Sequence, residues 1–293
     1  MRILVKVGGA QLGEAAERSE LASAVKKATA AGHQLIIVHG GGHQIRTLSQ
    51  RLGLSDRYEA GLRVTDAATA EVVLWVLAGE VNRRLVASLG QAGLSGVGLT
   101  GADGGTFSAA PYQLDGVELG YVGQVHSVEP ALVETLLSGG HTPVIASVAP
   151  LAETCDAPNE QFYNINADHA VAPLASALAA QAILFLSDVP GVIRDGQCVP
   201  AMNTEDAHAM VEEGVITAGM QPKVDSALTA ARAVPGALVK IASAAGEDSI
   251  LSALVEGCGT RFECTPGSAG INIETQTMDR DSISHQEEDE RHG

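Results

Sequence analysis

"QLIIVHGGGHQI", residues 34–45, runs an apolar stretch straight into three consecutive glycines and then into residues at helical spacing. A short apolar run bounded by turn residues reads as a strand buried on both faces. Gly40, Gly41 and Gly42 bring no side-chain chemistry, so the useful groups of the turn are its backbone N–H donors. "RILVKVGGA", residues 2–10, repeats the arrangement one unit earlier: a buried strand, Gly8 and Gly9, then a helix with Leu21, Val25 and Ala28 in phase. Strand, glycine turn and helix, twice in succession, is the pattern of a parallel sheet with helices on both faces.

The rhythm continues along the chain. A long helix is expected from about residue 66 to 91, capped by Thr65 or Asp66. Strands follow at 95–101 and 141–149, with a hairpin around 115–125. A helix opens near Asn166, followed by a strand at 182–188, helices at 204–213 and 220–233, a strand at 237–243, and a last helix and strand ending at Phe262. The segment 263–293 carries eight Asp and Glu against two Arg, with few apolar residues, and reads as a disordered acidic tail.

The whole chain has 293 residues, enough for one large or two modest domains of roughly 100 to 200 residues. Only 3% of residues are aromatic, so alanine, valine and leucine must form the interior. The formal net charge of −17 argues against non-specific binding to nucleic acid or to an anionic membrane, and leaves an anionic ligand dependent on local donors. No apolar run is long enough to span a bilayer and no leader pattern is evident, which gives a cytoplasmic expectation. Cys155, Cys198, Cys258 and Cys264 lack the spacing of a zinc site or disulfide framework, so no protein metal site is expected.

In a parallel sheet the carboxyl ends of the strands line the ligand crevice, so both glycine turns should face one cleft. Such turns present successive N–H groups to an anion, most often phosphate, although a tight bend needing glycine would look the same. Neither GxxxxGK[ST] nor GxGxxG is present. Lys6 interrupts the apolar run of its strand, where it either snorkels to solvent or aims charge at a phosphate; two adjacent glycine turns favour the second. Lys223, after Pro222, suits the first turn of a helix and could be an ordinary exposed lysine. Asp168 sits at a helix start, where a carboxylate is often only a dipole partner. Asn164 and Asn166 fit turn positions, and the fork of Arg63 fits either a ligand carboxylate or a surface ion pair.

Taken in order, "KVGGAQL", "IVHGGGHQI", "GLRVTDAATAEVV", "GEVNRRLV", "GLTGADG", "YVGQV", "NINADHAVAPLA", "LSDVPGV", "ITAGMQPKVDSALTAA" and "GTRF" resemble the amino acid kinase family, over residues 3–262. The resemblance implies an α/β three-layer αβα sandwich with a mostly parallel central sheet, carbamate kinase-like and in two lobes. Residues 1–180 would hold an acyl amino acid and the dimer contact, and residues 181–262 would hold ATP. It further implies phosphorylation of the γ-carboxylate of N-acetyl-L-glutamate, with Mg2+ on the ATP. Carried over by motif, Lys6 and Lys223 would flank the transferred phosphoryl group and Asp168 would orient them. Gly8, Gly9, Gly41 and Gly42 would donate backbone N–H groups, while Arg63, Asn164 and Asn166 would hold the substrate. Asp188, Gly191, Gly219 and Met220 match nucleotide-site motifs.

A side chain on the triple-glycine turn would then stand in the path of the reacting groups. His43 and Ala218 depart from the family pattern without removing a catalytic group. Because the first strand begins at residue 2, the expectation is an arginine-insensitive homodimer rather than a hexamer. Alternatives within and outside the reaction class are a kinase acting on aminoadipate carried by an acidic protein, an N-succinylglutamate kinase, and a non-catalytic amino-acid sensor. The acidic body disfavours the first, and retention of Lys6, Lys223 and Asp168 disfavours the last.

Overall fold

The computed structural model describes residues 1–153, 161–217 and 219–264. Cys155, Ala218 and the segment 265–293, which holds nearly all of the expected tail, fall outside those residues. An eight-stranded sheet forms the middle layer, in the order Ala201–Met202, Thr260–Phe262, Leu238–Ser243, Ala182–Ser187, Arg2–Val7, Gln34–His39, Thr142–Ala146 and Gly96–Leu99. Neighbouring strands are parallel throughout except where Leu238–Ser243 meets Thr260–Phe262.

Period-two alternation divides the strands between two cores. On one face, Ile3, Val5, Val7, Leu35, Ile37, Leu184 and Leu186 pack under helices Ala15–Ala30, Asn82–Gln91 and Ser249–Leu254. On the other, Leu4, Ile36, Val38, Ile183 and Phe185 pack under helices Ala131–Ser138, Ala167–Ala177, Thr204–Glu212 and Gln221–Ala233. Helices on both faces of a mostly parallel sheet make the three-layer α/β architecture. Alternation puts Lys6 on the second face, in register with Val38 and Phe185 on the flanking strands. The charge of this lysine therefore emerges at the carboxyl end of the central strand, beneath the helices that carry Asp168 and Lys223.

The first strand is also where the chain order reverses. From Arg2–Val7 the chain moves outward to Gln34–His39 and beyond, and later returns on the other side through Ala182–Ser187. The crevice at such a reversal is where open α/β sheets bind ligands.

Three expectations are corrected. The single strand at 141–149 is broken at Ser147: Thr142–Ala146 lies in the main sheet, while Val148–Pro150 joins a four-stranded sheet with Phe107–Pro111, Val122–Val128 and Phe162–Ile165. The hairpin placed at 115–125 is wider, pairing Phe107–Pro111 with Val122–Val128 and leaving one bridge, Leu114 to Val117, inside the connection. The helix from Ala67 to Gln91 is continuous in direction but carries a π segment, Trp75–Val81, in its middle. Trp75 is exposed there, whereas Leu77 and Val81 turn inward. At the other end of the chain Glu263 still belongs to the folded body, its N–H donating to Met202 O.

Asp66 caps this helix, its carboxylate accepting from Thr69 N–H at 2.7 Å. Asp66→Ala leaves that donor without its cap and should cost about 1 kcal/mol. In a domain of this size the melting temperature, measured by calorimetry, should fall by about 2–4 °C.

Candidate active site

The two glycine turns lie side by side because the strands that feed them are adjacent. They form one wall of a cleft of about 210 Å³. Lys6, Gly8, Gly9, Gly41, Gly42, Arg63, Asn164, Asn166 and Asp168 all line it, so most of the expected site residues come together. Arg18, buried one helical turn into Ala15–Ala30, donates to Leu12 O and Gly13 O and so fixes the exit of the first turn.

The triple glycine is used differently at each position. A Cβ on Gly41 would fall 2.8 Å from Leu77 Cδ2 and 3.1 Å from Val81 Cγ2, both on the π segment. One on Gly40 would meet Ala167 Cβ at 3.3 Å. Only at Gly42 is the space open. Packing therefore constrains two of the three glycines by itself: a side chain at Gly41 would overlap Leu77, and one at Gly40 would press on Ala167, both of which line the cleft.

Lys6 is 7% exposed, and its ammonium lies 2.9 Å from both carboxylate oxygens of Asp168. Asp168 is placed by the helix start Ala167–Ala177, which Asn166 caps by accepting Asp168 N–H at 2.9 Å. The side-chain oxygen of Asn166 thus holds the helix rather than a ligand. Lys223 lies in the first turn of Gln221–Ala233 and donates to Ser187 Oγ at 2.6 Å, and Ser187 donates in turn to Asp188 at 2.9 Å. Burial holds the Lys223 ammonium below its usual pKa, with a further push from Lys6, while Asp168 and Asp188 act the other way. The Ser187 hydroxyl is the first cause of the lowered pKa of Asp188.

Arg63 is buried, with its guanidinium paired to Asp56, donating to Gly42 O at 3.0 Å and stacked 4.8 Å from the Tyr58 ring centroid. Burial, and then Arg46, bring its pKa down to about 10, which leaves it charged at neutral pH. Part of the expected fork is therefore engaged by Asp56 rather than directed at a ligand. Asn164 donates to Thr65 Oγ1 at 3.1 Å, tying the smaller sheet to the entry of the 67–91 helix.

Lys223, Asp188, Gly191, Gly219 and Met220 do not line the cleft. Gly191 has φ +156°, and a Cβ there would lie 2.6 Å from both Cys198 Sγ and Thr260 Oγ1, so its observed role is close packing. Met220 packs against the core as the residue preceding Gln221–Ala233, and Gly219 opens onto free space. Tyr58, Ser147 and Ser187 were not picked out from the sequence. Ser187 could have been found as the neighbour of Asp188 at a strand end, but nothing in the pattern marks Tyr58 or Ser147.

The cleft can hold an anion between backbone donors and the Lys6 ammonium, with the Lys223 ammonium close to Lys6 outside the lining, and it places no histidine or cysteine among the cleft-lining residues. The family model for the amino acid kinase family matches residues 1–241. The acetylglutamate kinase of Solibacter usitatus is 40% identical over 260 residues, covering 85% of this chain and 97% of the relative. Among solved structures, smu.665 from Streptococcus mutans UA159 superposes with a TM-score of 0.75 at 29% identity, covering 89% of this chain and 98% of that one. Carbamate kinase of Giardia shares the fold, with a TM-score of 0.65 at 17% identity over 90% of this chain and 99% of its own. The chain belongs to the amino acid kinase family.

Beneath the cleft, His39 is completely buried, and desolvation brings its pKa down to about 4 from an ordinary 6.5. The unfolded chain therefore binds a proton between pH 6.5 and 4 that the folded chain does not. This contribution is fully present above pH 6.5 and is lost as pH falls toward 4, at about 1.4 kcal/mol per pH unit. On urea unfolding, the wild type should lose about 1.6 kcal/mol more stability between pH 6.5 and pH 5 than His39→Gln does.

Proposed function

We propose that this chain catalyses ATP-dependent phosphorylation of the γ-carboxylate of N-acetyl-L-glutamate. The support is its likeness to acetylglutamate kinases over most of both chains, joined to a cleft in which Lys6 and Asp168 meet two glycine turns. In the reaction a carboxylate oxygen attacks the γ-phosphorus, the bond from that phosphorus to the β,γ-bridging oxygen breaks, and its electron pair leaves with ADP. The product is an acyl phosphate.

A carboxylate is already a nucleophile at neutral pH, so no general base is needed. The obstacle is repulsion between two anions, and positioning plus positive charge overcomes it. Lys6 and Lys223 supply charge to the migrating group, and Asp168 keeps the Lys6 ammonium directed inward. Gly8, Gly9, Gly41 and Gly42 supply N–H donors. Arg63, Asn164 and Asn166 form the acyl amino acid end of the cleft.

The cleft-lining residues all fall within residues 6–168, which suits an acyl-substrate lobe of 1–180, while Ser187, Asp188 and Lys223 come from the proposed ATP lobe of 181–262. In that lobe Asp188, Gly191, Gly219 and Met220 are proposed as the nucleotide site. Magnesium is proposed to enter with ATP, carried on the nucleotide phosphates and neutralising them. No described helix is long and apolar enough to cross a membrane. A homodimer acting in the cytoplasm, insensitive to arginine, completes the reading.

A hydroxamate assay for acyl phosphate should detect turnover of N-acetyl-L-glutamate and none of unacylated glutamate; turnover of glutamate alone would overturn the substrate assignment. Lys6→Ala and Lys223→Ala should each lower kcat by about 100- to 1,000-fold. Light scattering should give twice the chain mass, and a hexameric mass with arginine inhibition would refute the oligomer and its insensitivity.

A further inference from the structure

Directly beneath the triple-glycine turn is a buried polar pair that the phosphotransfer scheme does not use. His39 Nδ1 lies 2.9 Å from Gly40 O, and its Nε2 lies 3.0 Å from Asn82 Nδ2. Asn82 Nδ2 also donates to Val144 O at 2.9 Å. Gly40 O and Val144 O can only accept, so Nδ1 must carry the proton of His39 and the amide nitrogen of Asn82 must face both His39 and Val144. The tautomer of the ring and the orientation of the amide are thereby determined by their partners.

The pair is held at a cost. Asn82 is fully buried, and its Oδ1 has no hydrogen-bond partner among the described residues. That oxygen is admitted only because residue 98 is glycine: a Cβ there would lie 1.8 Å from it and 2.4 Å from an Arg83 guanidinium nitrogen. Asn82 also begins the helical turn immediately after the π segment whose Leu77 and Val81 back Gly41. π segments often mark functional positions in helices.

A peptide unit is planar and trans, so its C=O and N–H point in opposite directions. Anchoring Gly40 O on His39 therefore turns the Gly41 N–H to the side away from His39. We propose that His39 and Asn82 are positioning residues that lock the Gly40–Gly41 peptide and so aim the Gly41 N–H at the acceptor carboxylate and arriving phosphoryl group. The inference rests on the phosphotransfer reading above. The burial that keeps His39 neutral also keeps its Nε2 an acceptor for Asn82.

The test compares Asn82→Leu, His39→Phe, the two combined, and Gly98→Ala with the wild type by kcat, KM for both substrates, melting temperature and crystal structure. Each single variant should lower kcat about 10-fold or more with KM within about threefold, the signature of an interaction made in the transition state. The combined variant, which leaves neither polar member of the His39–Asn82 contact facing an apolar partner, should lose less melting temperature than the sum of the two single variants but should not regain kcat. Recovery of kcat together with stability, or unchanged kcat in folded single variants, would overturn the proposal. Gly98→Ala displaces Asn82 without removing any group of the pair, and it gives the same readings if Asn82→Leu does not fold. If the wild type forms no acyl phosphate, the substrate reading fails separately. The crystal structures then decide the pair: a Gly40–Gly41 peptide unchanged in the variants would sink it.

Discussion

The ion pair between Lys6 and Asp168 is the constraint around which the rest of the structure is arranged. It joins the central strand to the helix opposite, at the wall of the cleft, with both side chains largely buried. Ion pairs in such settings add little net stability, because desolvating two charges offsets most of their attraction. Removing one member alone leaves an uncompensated charge, which is costly. The pair is better understood as a device for holding an ammonium group, already stripped of much of its water, at the carboxyl end of the sheet. Small side chains on the helix, Ala167, Ala170 and Ala175, let Asp168 approach the strand closely enough.

The order reversal of the sheet explains why the remaining parts converge. Strands on one side of Arg2–Val7 deliver the triple-glycine turn, and Ala182–Ser187 on the other delivers Ser187 and Asp188. Lys223 reaches the same region from a separate helix and is anchored through the Ser187 hydroxyl. The result is one charged cluster, two lysines held by two aspartates and a serine, assembled from segments more than 200 residues apart in sequence. Neither lysine could be placed by local structure alone.

Much of this was legible in the chain. The strands Arg2–Val7 and Gln34–His39 were readable to the residue, because a mostly apolar run ended by glycine leaves little choice of boundary. Lys6 and the glycine turns were readable because each breaks the pattern of its own segment, whereas Asp168, ordinary at a helix start, stood out only through the family resemblance. The break at Ser147 was not, since an apolar strand that changes sheets keeps the same composition on both sides. The π segment was also hidden: its residues keep good helical spacing, and its inward contacts, Leu77 and Val81 beside Gly41, come from a distant part of the chain. Gly191 was read as a nucleotide residue from its motif, whereas the observed demand on it is the close approach of Thr260. His39 looked like the end of an apolar strand, and nothing nearby in sequence pointed to Asn82 as its partner.

The π segment has one more consequence. It begins at Trp75, the single tryptophan of the chain, and within the same segment Leu77 and Val81 form the backing of the triple-glycine turn. The chain thus has one indole, mounted on the outer surface of the element that supports its substrate cleft. Its emission reads that element with no background from other indoles, so the protein carries its own optical gauge of strain behind the turn.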